Sequence, residues 1–140
     1  MTGERLFLDT AFIQALLNPR DNLHNRAKLL LPILRNAQEV WITEAIITEV
    51  GNALSAINRH GAFQFIQQCY QTENIRVVTV DTDLLLPALE LYQSRSDKTW
   101  GLTDCISFVV MKREKLTQAV TADRHFVQAG FRALMLEDLN

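Results

Sequence analysis

The sequence predicts an α/β fold: one domain, residues 1–140, on a central, mainly parallel sheet of about five strands with helices on both faces. Three observations lead there. Short apolar or β-branched runs alternate with longer stretches of helical period. The breaks between them are short, with no repeat, low-complexity tract or linker in 140 residues. Alternating β and α elements close into a parallel sheet covered on both sides.

The elements follow in order. Arg5–Asp9 (RLFLD) is an apolar run suited to a buried strand. Thr10–Leu17 reads as a helix that stops at the Asn18-Pro19 breaker. Asp21 or Asn22 caps a helix through about Arg35, with Ala27, Leu30, Leu31 and Leu34 on one face. Glu39–Thr43 (EVWIT) is the second strand. The next helix carries Ile46, Val50, Ala53 and Ile57 at helical spacing and ends at His60-Gly61; another covers about Ala62–Gln71. Ile75–Val80 is a β-branched third strand. Thr82 to about Ser94 is helical, with Pro87 a predicted kink. Ser96–Gly101 is a polar loop holding Trp100. Thr103–Arg113 is a helix apolar on most sides, hence central. Gln118–Thr121 and Arg132–Leu136 are strands four and five, joined by a short helix near His125–Ala129.

Composition is that of an ordinary globular chain, 48% hydrophobic and 21% charged. No apolar run approaches the ~20 residues that span a bilayer, and no secretory leader is recognisable. Cys69 and Cys105 are isolated and read as buried free thiols of a reducing cytoplasm.

The chemistry concentrates in four acids. Asp9 ends the first strand, and Asp123 follows the fourth after Thr121-Ala122. Both fall beyond the carboxyl ends of strands, where parallel sheets carry their functional groups. Asp104 follows Thr103, read as an N-cap, and lies in the first turn of its helix. Glu49 borders the apolar stripe of the helix after the second strand. All four sit in apolar surroundings: LFLDTAFI, IITEVGNAL, GLTDCISFVV and AVTADRHF. A carboxylate there costs several kcal/mol unless compensated, and a hard divalent cation compensates several at once. Each acid alone has a plain structural explanation: Asp9 and Asp104 as helix starters, Asp123 as a turn former, Glu49 as a solvated helix edge. Their joint placement at one sheet edge favours the cation. Setting the four aside turns the formal net charge from −2 to +2, so composition does not exclude a nucleic-acid partner.

Four ordered segments carry a resemblance: LFLDTAFIQALL, WITEAIITEVGNAL, DKTWGLTDCISFVVM and AVTADRHFVQAGF. They closely resemble the PIN-domain family, in particular the VapC-type toxins of bacterial toxin–antitoxin pairs. The resemblance implies an endoribonuclease dependent on Mg²⁺ or Mn²⁺, a small antitoxin partner and a homodimer. It maps the family's acidic positions onto Asp9, Glu49, Asp104 and Asp123, with Asp9 and Asp104 the direct metal ligands. Glu49 would ligate through water or orient the nucleophile, and Asp123 would complete a second metal position. It maps Thr10 and Thr121 as hydrogen-bonding residues that orient the carboxylates. One departure is Ala11, where the family often carries Asn or Ser. The reaction implied is in-line hydrolysis of an RNA phosphodiester by water activated at the metal.

Other features weigh less. Lys98 and Arg124 are the best placed cations for RNA, ahead of Arg20, Arg26, Lys28 and Arg95. Trp100 could stack on a base, although packing explains it better. His24, His60 and His125 share no metal-ligand spacing and read as surface or structural. Asp81 and Asp83 open a helix, which favours capping. Leu-rich helix faces could serve a dimer or an antitoxin, although core packing accounts for most of their positions. The main alternative is a non-catalytic PIN-like module that binds RNA or protein; the filled acidic set argues against it. A phosphatase with Asp9 as nucleophile would want a second Asp two residues on, where Ala11 stands. A receiver domain would need an early acidic pair, and Glu4 offers none.

Overall fold

The structure, a computed structural model, describes residues 3–138. Its centre is a five-stranded sheet in the order β3-β2-β1-β4-β5. The strands are β1 (Arg5–Leu8), β2 (Glu39–Thr43), β3 (Ile75–Val78), β4 (Gln118–Val120) and β5 (Arg132–Ala133). All four pairings are parallel, with Phe7 opposite both Trp41 and Ala119. Consecutive β1 residues Leu6, Phe7 and Leu8 are all at most 2% exposed, which requires cover on both faces of the sheet. The helices are α1 (Thr10–Leu17), α2 (His24–Leu29), α3 (Leu31–Arg35), α4 (Glu44–Ala53), α5 (Arg59–Gln71), α6 (Thr82–Ser94), α7 (Leu102–Arg113) and α8 (Arg124–Gln128). The strand order, with the right-handed crossovers that parallel strands take, assigns α1–α5 to one face and α6–α8 to the other.

The chain order sets the function-bearing point. From β1 the connection runs outward to β2 and β3, then returns across the sheet to β4 and β5. The direction therefore reverses between β1 and β4, the position where open parallel sheets form a crevice beyond the carboxyl ends of their strands. An aromatic stack supports it: Phe126 packs on Phe7 at 6.3 Å and edge-on against Phe108 at 5.0 Å. Trp100 extends the stack, edge-on to Phe108 at 5.0 Å.

Several elements differ from the sequence reading, each for a local reason. The predicted helix to Arg35 is two helices that meet at Leu30, with Pro32 in the first turn of α3. Proline lacks the N–H that a continuous helix would bond there. His60-Gly61 starts α5 rather than ending α4, because Asn58 is the cap: its Oδ1 accepts from Gly61 N–H at 3.0 Å. A Cβ at Gly61 would lie 2.5 Å from the Asn58 amide, so this cap requires glycine. Pro87 is held within one helix, α6, whose cap Asp81 accepts from Leu84 N–H at 3.0 Å. The fifth strand is two residues long and passes into a 3-10 turn, Leu134–Leu136. Cys69 and Cys105 are buried free thiols, and no described helix is long and apolar enough to cross a membrane.

Candidate active site

The β1–β4 crevice collects three of the four acids. Asp9 follows β1 and is 5% exposed. Its N–H extends the ladder to Val120 O at 3.4 Å, which turns its side chain toward β4. There Thr121 Oγ1 donates to Asp9 Oδ2 at 2.7 Å, and the same hydroxyl oxygen accepts from Asp123 N–H at 3.0 Å. One buried hydroxyl thus sets two acids. Asp123 caps α8, its Oδ1 accepting from His125 N–H at 2.9 Å.

Asp104 arrives on α7. The cap of that helix is Gly101 rather than Thr103, and Asp104 Oδ2 accepts from Gly101 N–H at 3.1 Å. The carboxyl therefore folds back over the helix start toward the crevice. Trp100, just before the cap, is 6% exposed. Its indole N–H donates to Gln128 Oε1 at 2.9 Å, and Arg95 covers its ring at 5.0 Å. Trp100 thus packs, clamping the loop that presents Asp104.

Burial and acidic neighbours raise the proton affinity of Asp9 and Asp104. Burial pushes Asp9 up to about 7, with Asp104 and Asp123 adding repulsion and Thr121 opposing the rise. Asp104 is also raised, first by burial; His125 and the Gly101 N–H pull the other way, and Asp123 pushes it up. Among the described residues, no Lys or Arg pairs with any of the three.

A PIN domain matches this chain over residues 6–132. The chain belongs to the PIN-domain family. A Mycobacterium tuberculosis PIN-domain relative, the 23S rRNA-specific endonuclease VapC20, is 28% identical over 133 residues, 90% of this chain and 95% of the relative. The crystal structure of M. tuberculosis VapC20, described as a sarcin–ricin loop cleaving toxin, superposes with a TM-score of 0.80 at 27% identity. It covers 90% of this chain and 95% of that one. FitAcB from Neisseria gonorrhoeae superposes at 0.60 with 14% identity, covering 91% of this chain and 94% of its own. VapBC2 from Rickettsia felis, bound to a promoter DNA fragment, does so at 0.60 and 14%, covering 91% and 96%. Those two share the fold.

In this PIN domain Glu49 joins the other acids through Thr10. It is on the exposed side of α4, and Thr10, one residue after Asp9, donates a short hydrogen bond to its Oε1. The link between Asp9 and Glu49 is therefore one backbone step and one hydroxyl. Among the cations, Arg95 pairs with Asp97 at 3.0 Å and Arg26 donates to Glu137 O at 2.7 Å. Arg124 is exposed and Lys98 half-buried. Their side chains make no hydrogen bond or ion pair among the described residues.

His125 is the residue that the sequence reading placed elsewhere. Its Nδ1 lies 2.8 Å from Asp104 Oδ2 and 3.4 Å from Asp123 Oδ1, and its Nε2 lies 3.2 Å from Thr99 Oγ1. One ligand-type atom from each of Asp104, Asp123 and His125 falls within 4.8 Å of the other two. That donor set suits a divalent cation. The available signal was the D-x-H spacing after β4, which sets the ring two residues beyond Asp123. Its second partner, Asp104, is 21 positions away and invisible to any local motif. His24 is structural, its Nδ1 at 2.8 Å from Ala15 O.

Proposed function

We propose that this chain is a divalent-metal-dependent endoribonuclease acting as the toxin of a toxin–antitoxin pair, with residues 1–140 working as one nuclease domain. The observation that carries the reading is the cluster of acids at the β1–β4 reversal: one Thr121 hydroxyl ties Asp9 to Asp123, and Asp104, Asp123 and His125 bring ligand-type atoms within 4.8 Å of one another. Asp9, Asp104 and Asp123 are the residues to hold Mg²⁺ or Mn²⁺. Once bound, the cation neutralises phosphodiester charge and makes water a better nucleophile.

The chain's own groups then have separate tasks. Thr121 holds the Asp9 carboxylate in one rotamer and fixes the backbone of Asp123. The Gly101 N–H aims Asp104. Glu49, anchored by Thr10 at the solvent side of the crevice, orients the attacking water. Arg124 and Lys98 supply positive charge for the RNA backbone. Asn at position 11 is not needed, since Thr10 and Thr121 already position the acids.

The relative named for 23S rRNA cleavage makes a sarcin–ricin-type RNA hairpin the first substrate to try. Exposed apolar side chains support protein partners. Phe63 and Tyr70 on α5 and Leu86, Leu89 and Tyr92 on α6 are each 47% or more exposed, surfaces that suit an antitoxin and a second copy of the chain. Buried reduced thiols fit a cytoplasmic protein.

The test is cleavage of that hairpin in Mn²⁺ and, after induced expression, mapping of RNA ends. Asp104→Asn is expected to slow cleavage by on the order of 10³-fold, about 4 kcal/mol of barrier, while the melting profile stays cooperative. Equal turnover by wild type and Asp104→Asn would leave the non-catalytic binding module as the better description.

A further inference from the structure

We propose that the His125 imidazole is a nitrogen ligand of the active-site cation, through Nδ1, and that it makes the site select Mn²⁺ over Mg²⁺. The inference rests on the nuclease reading of the site and concerns which cation the site is built for.

Position comes first. Nδ1 points between two carboxylates, 2.8 Å from Asp104 and 3.4 Å from Asp123. With one oxygen from each acid it forms a group of three donors, all within 4.8 Å of one another. The ring is not free to leave. His125 N–H is tied to Asp123 Oδ1, and the next residue, Phe126, is fully buried against Phe7 and Phe108.

The far side of the ring supplies the second argument. A ligating histidine needs its other nitrogen protonated and held by an acceptor, which fixes both tautomer and orientation. Thr99 Oγ1 lies 3.2 Å from Nε2. A hydroxyl both donates and accepts. In the tautomer that carries its proton on Nδ1, the ring donates to Asp104 and can accept from the Thr99 hydroxyl. In the other tautomer, Nε2–H donates to Thr99, and the Nδ1 lone pair faces the space between the acids. Thr99 serves both tautomers, so the ring becomes a ligand without losing a partner.

Selectivity follows from donor type. An all-oxygen site accepts Mg²⁺ and Mn²⁺ alike, whereas an imidazole nitrogen favours the transition metal. Asp9, tied to Asp123 through the Thr121 hydroxyl, completes the acidic set that a divalent ion balances.

The experiment uses the full chain, freed of metal by chelation, titrated calorimetrically with Mn²⁺ and with Mg²⁺. Pulsed electron paramagnetic resonance then reads ¹⁴N coupling to bound Mn²⁺. Wild type is expected to show imidazole coupling and to prefer Mn²⁺ by at least tenfold. His125→Ala should lose the coupling and at least tenfold in Mn²⁺ affinity, with Mg²⁺ affinity less affected. Thr99→Val should keep the coupling and weaken Mn²⁺ binding by about tenfold, the usual cost of removing a ligand's outer partner. A His24→Gln, His60→Gln double variant leaves His125 as the one imidazole of the three in the chain. It must retain the coupling, which keeps the test decisive even if His125→Ala fails to fold. Mn²⁺ uptake without ¹⁴N coupling, or equal affinity for the two ions, would overturn the inference and leave the nuclease reading standing. No uptake of either ion would overturn both.

Discussion

The two ends of the sheet treat charge in opposite ways. At the amino end of the strands, charges are paired inside the chain. Arg5 donates to Glu39 at 2.7 Å and Arg76 stands 3.7 Å away; Arg132 meets Glu137 at 2.7 Å. Hydrogen bonds from Arg5 and Trp41 hold Glu39 below the usual carboxylate range, and Arg132 does the same for Glu137. At the carboxyl end, Asp104 and Asp123 meet at a histidine, and Asp9 is tied to Asp123 through the Thr121 hydroxyl. Asp9 and Asp104 are driven upward, chiefly by burial. A charge the fold merely carries is satisfied by the fold. The cluster at the carboxyl end has hydroxyl, amide and imidazole partners but no Lys or Arg among the described residues, so it keeps acidic charge available to a cation.

The contrast can be broken most forcefully at Asp9. Its pKa is raised from 3.8 to about 7, so its contribution to stability is complete below the unfolded value and is lost as pH rises through about 7. Asp9→Asn keeps an acceptor for Thr121 and removes the charge. In chelated protein at pH 8 it should be more stable than wild type by about 4 kcal/mol. The gap should shrink steadily toward pH 4. Urea titrations at both ends of that range measure it, and a gap that does not change with pH would remove the electrostatic account.

Adding the missing partner gives a somewhat smaller effect of opposite kind. Mn²⁺ at a hundred times its dissociation constant should stabilise wild type by about 2.7 kcal/mol. Asp104→Asn should gain much less, and the Glu39→Gln variant at the paired end should gain as much as wild type. Calorimetric melts with and without Mn²⁺ decide this; equal gains in all three chains would place the ion somewhere else.

The smallest effect is expected at the paired end itself. Glu39→Gln should cost no more than about 1 kcal/mol at neutral pH, since its partners are substantially solvent-exposed. Glu39 is lowered in the fold, so its contribution is present above the unfolded value of 4.5 and disappears as pH falls through the folded one. Stability curves of the variant and wild type that fail to converge at low pH would count against the pairing.

Much of this architecture was legible in the residues, for reasons that also explain the misses. Thr10–Leu17 and Glu39–Thr43 match the observed bounds, because an apolar run and its flanking breakers are both local signals. The interruption at Leu30 was hidden because Ala27, Leu30, Leu31 and Leu34 keep helical spacing through it, while Pro32 alone carries the contrary information. Gly61 was read as a stop although it serves a start, and only the Asn58 side chain over it reveals which. At the site, the strand-end placement of Asp9 and Asp123 was readable from position. The folding back of Asp104 onto Gly101 was not, because it depends on which residue caps α7. His125 depended on a contact between α7 and α8 that no spacing rule encodes.

The bond from Thr121 to Asp9 joins residues 112 positions apart, and the strands that carry them pair only when both are present. Contacts of such long sequence separation form late, after the loop between them has closed. A ribosome making this chain therefore releases Asp9 early, and the residue waits while α1 to α7 are synthesised. The acids converge only once Thr121 to His125 have emerged as well. A nascent chain short of that point lacks Asp123 and His125 and offers Asp9 no hydroxyl partner, so the site cannot assemble before residues 121–125 are made.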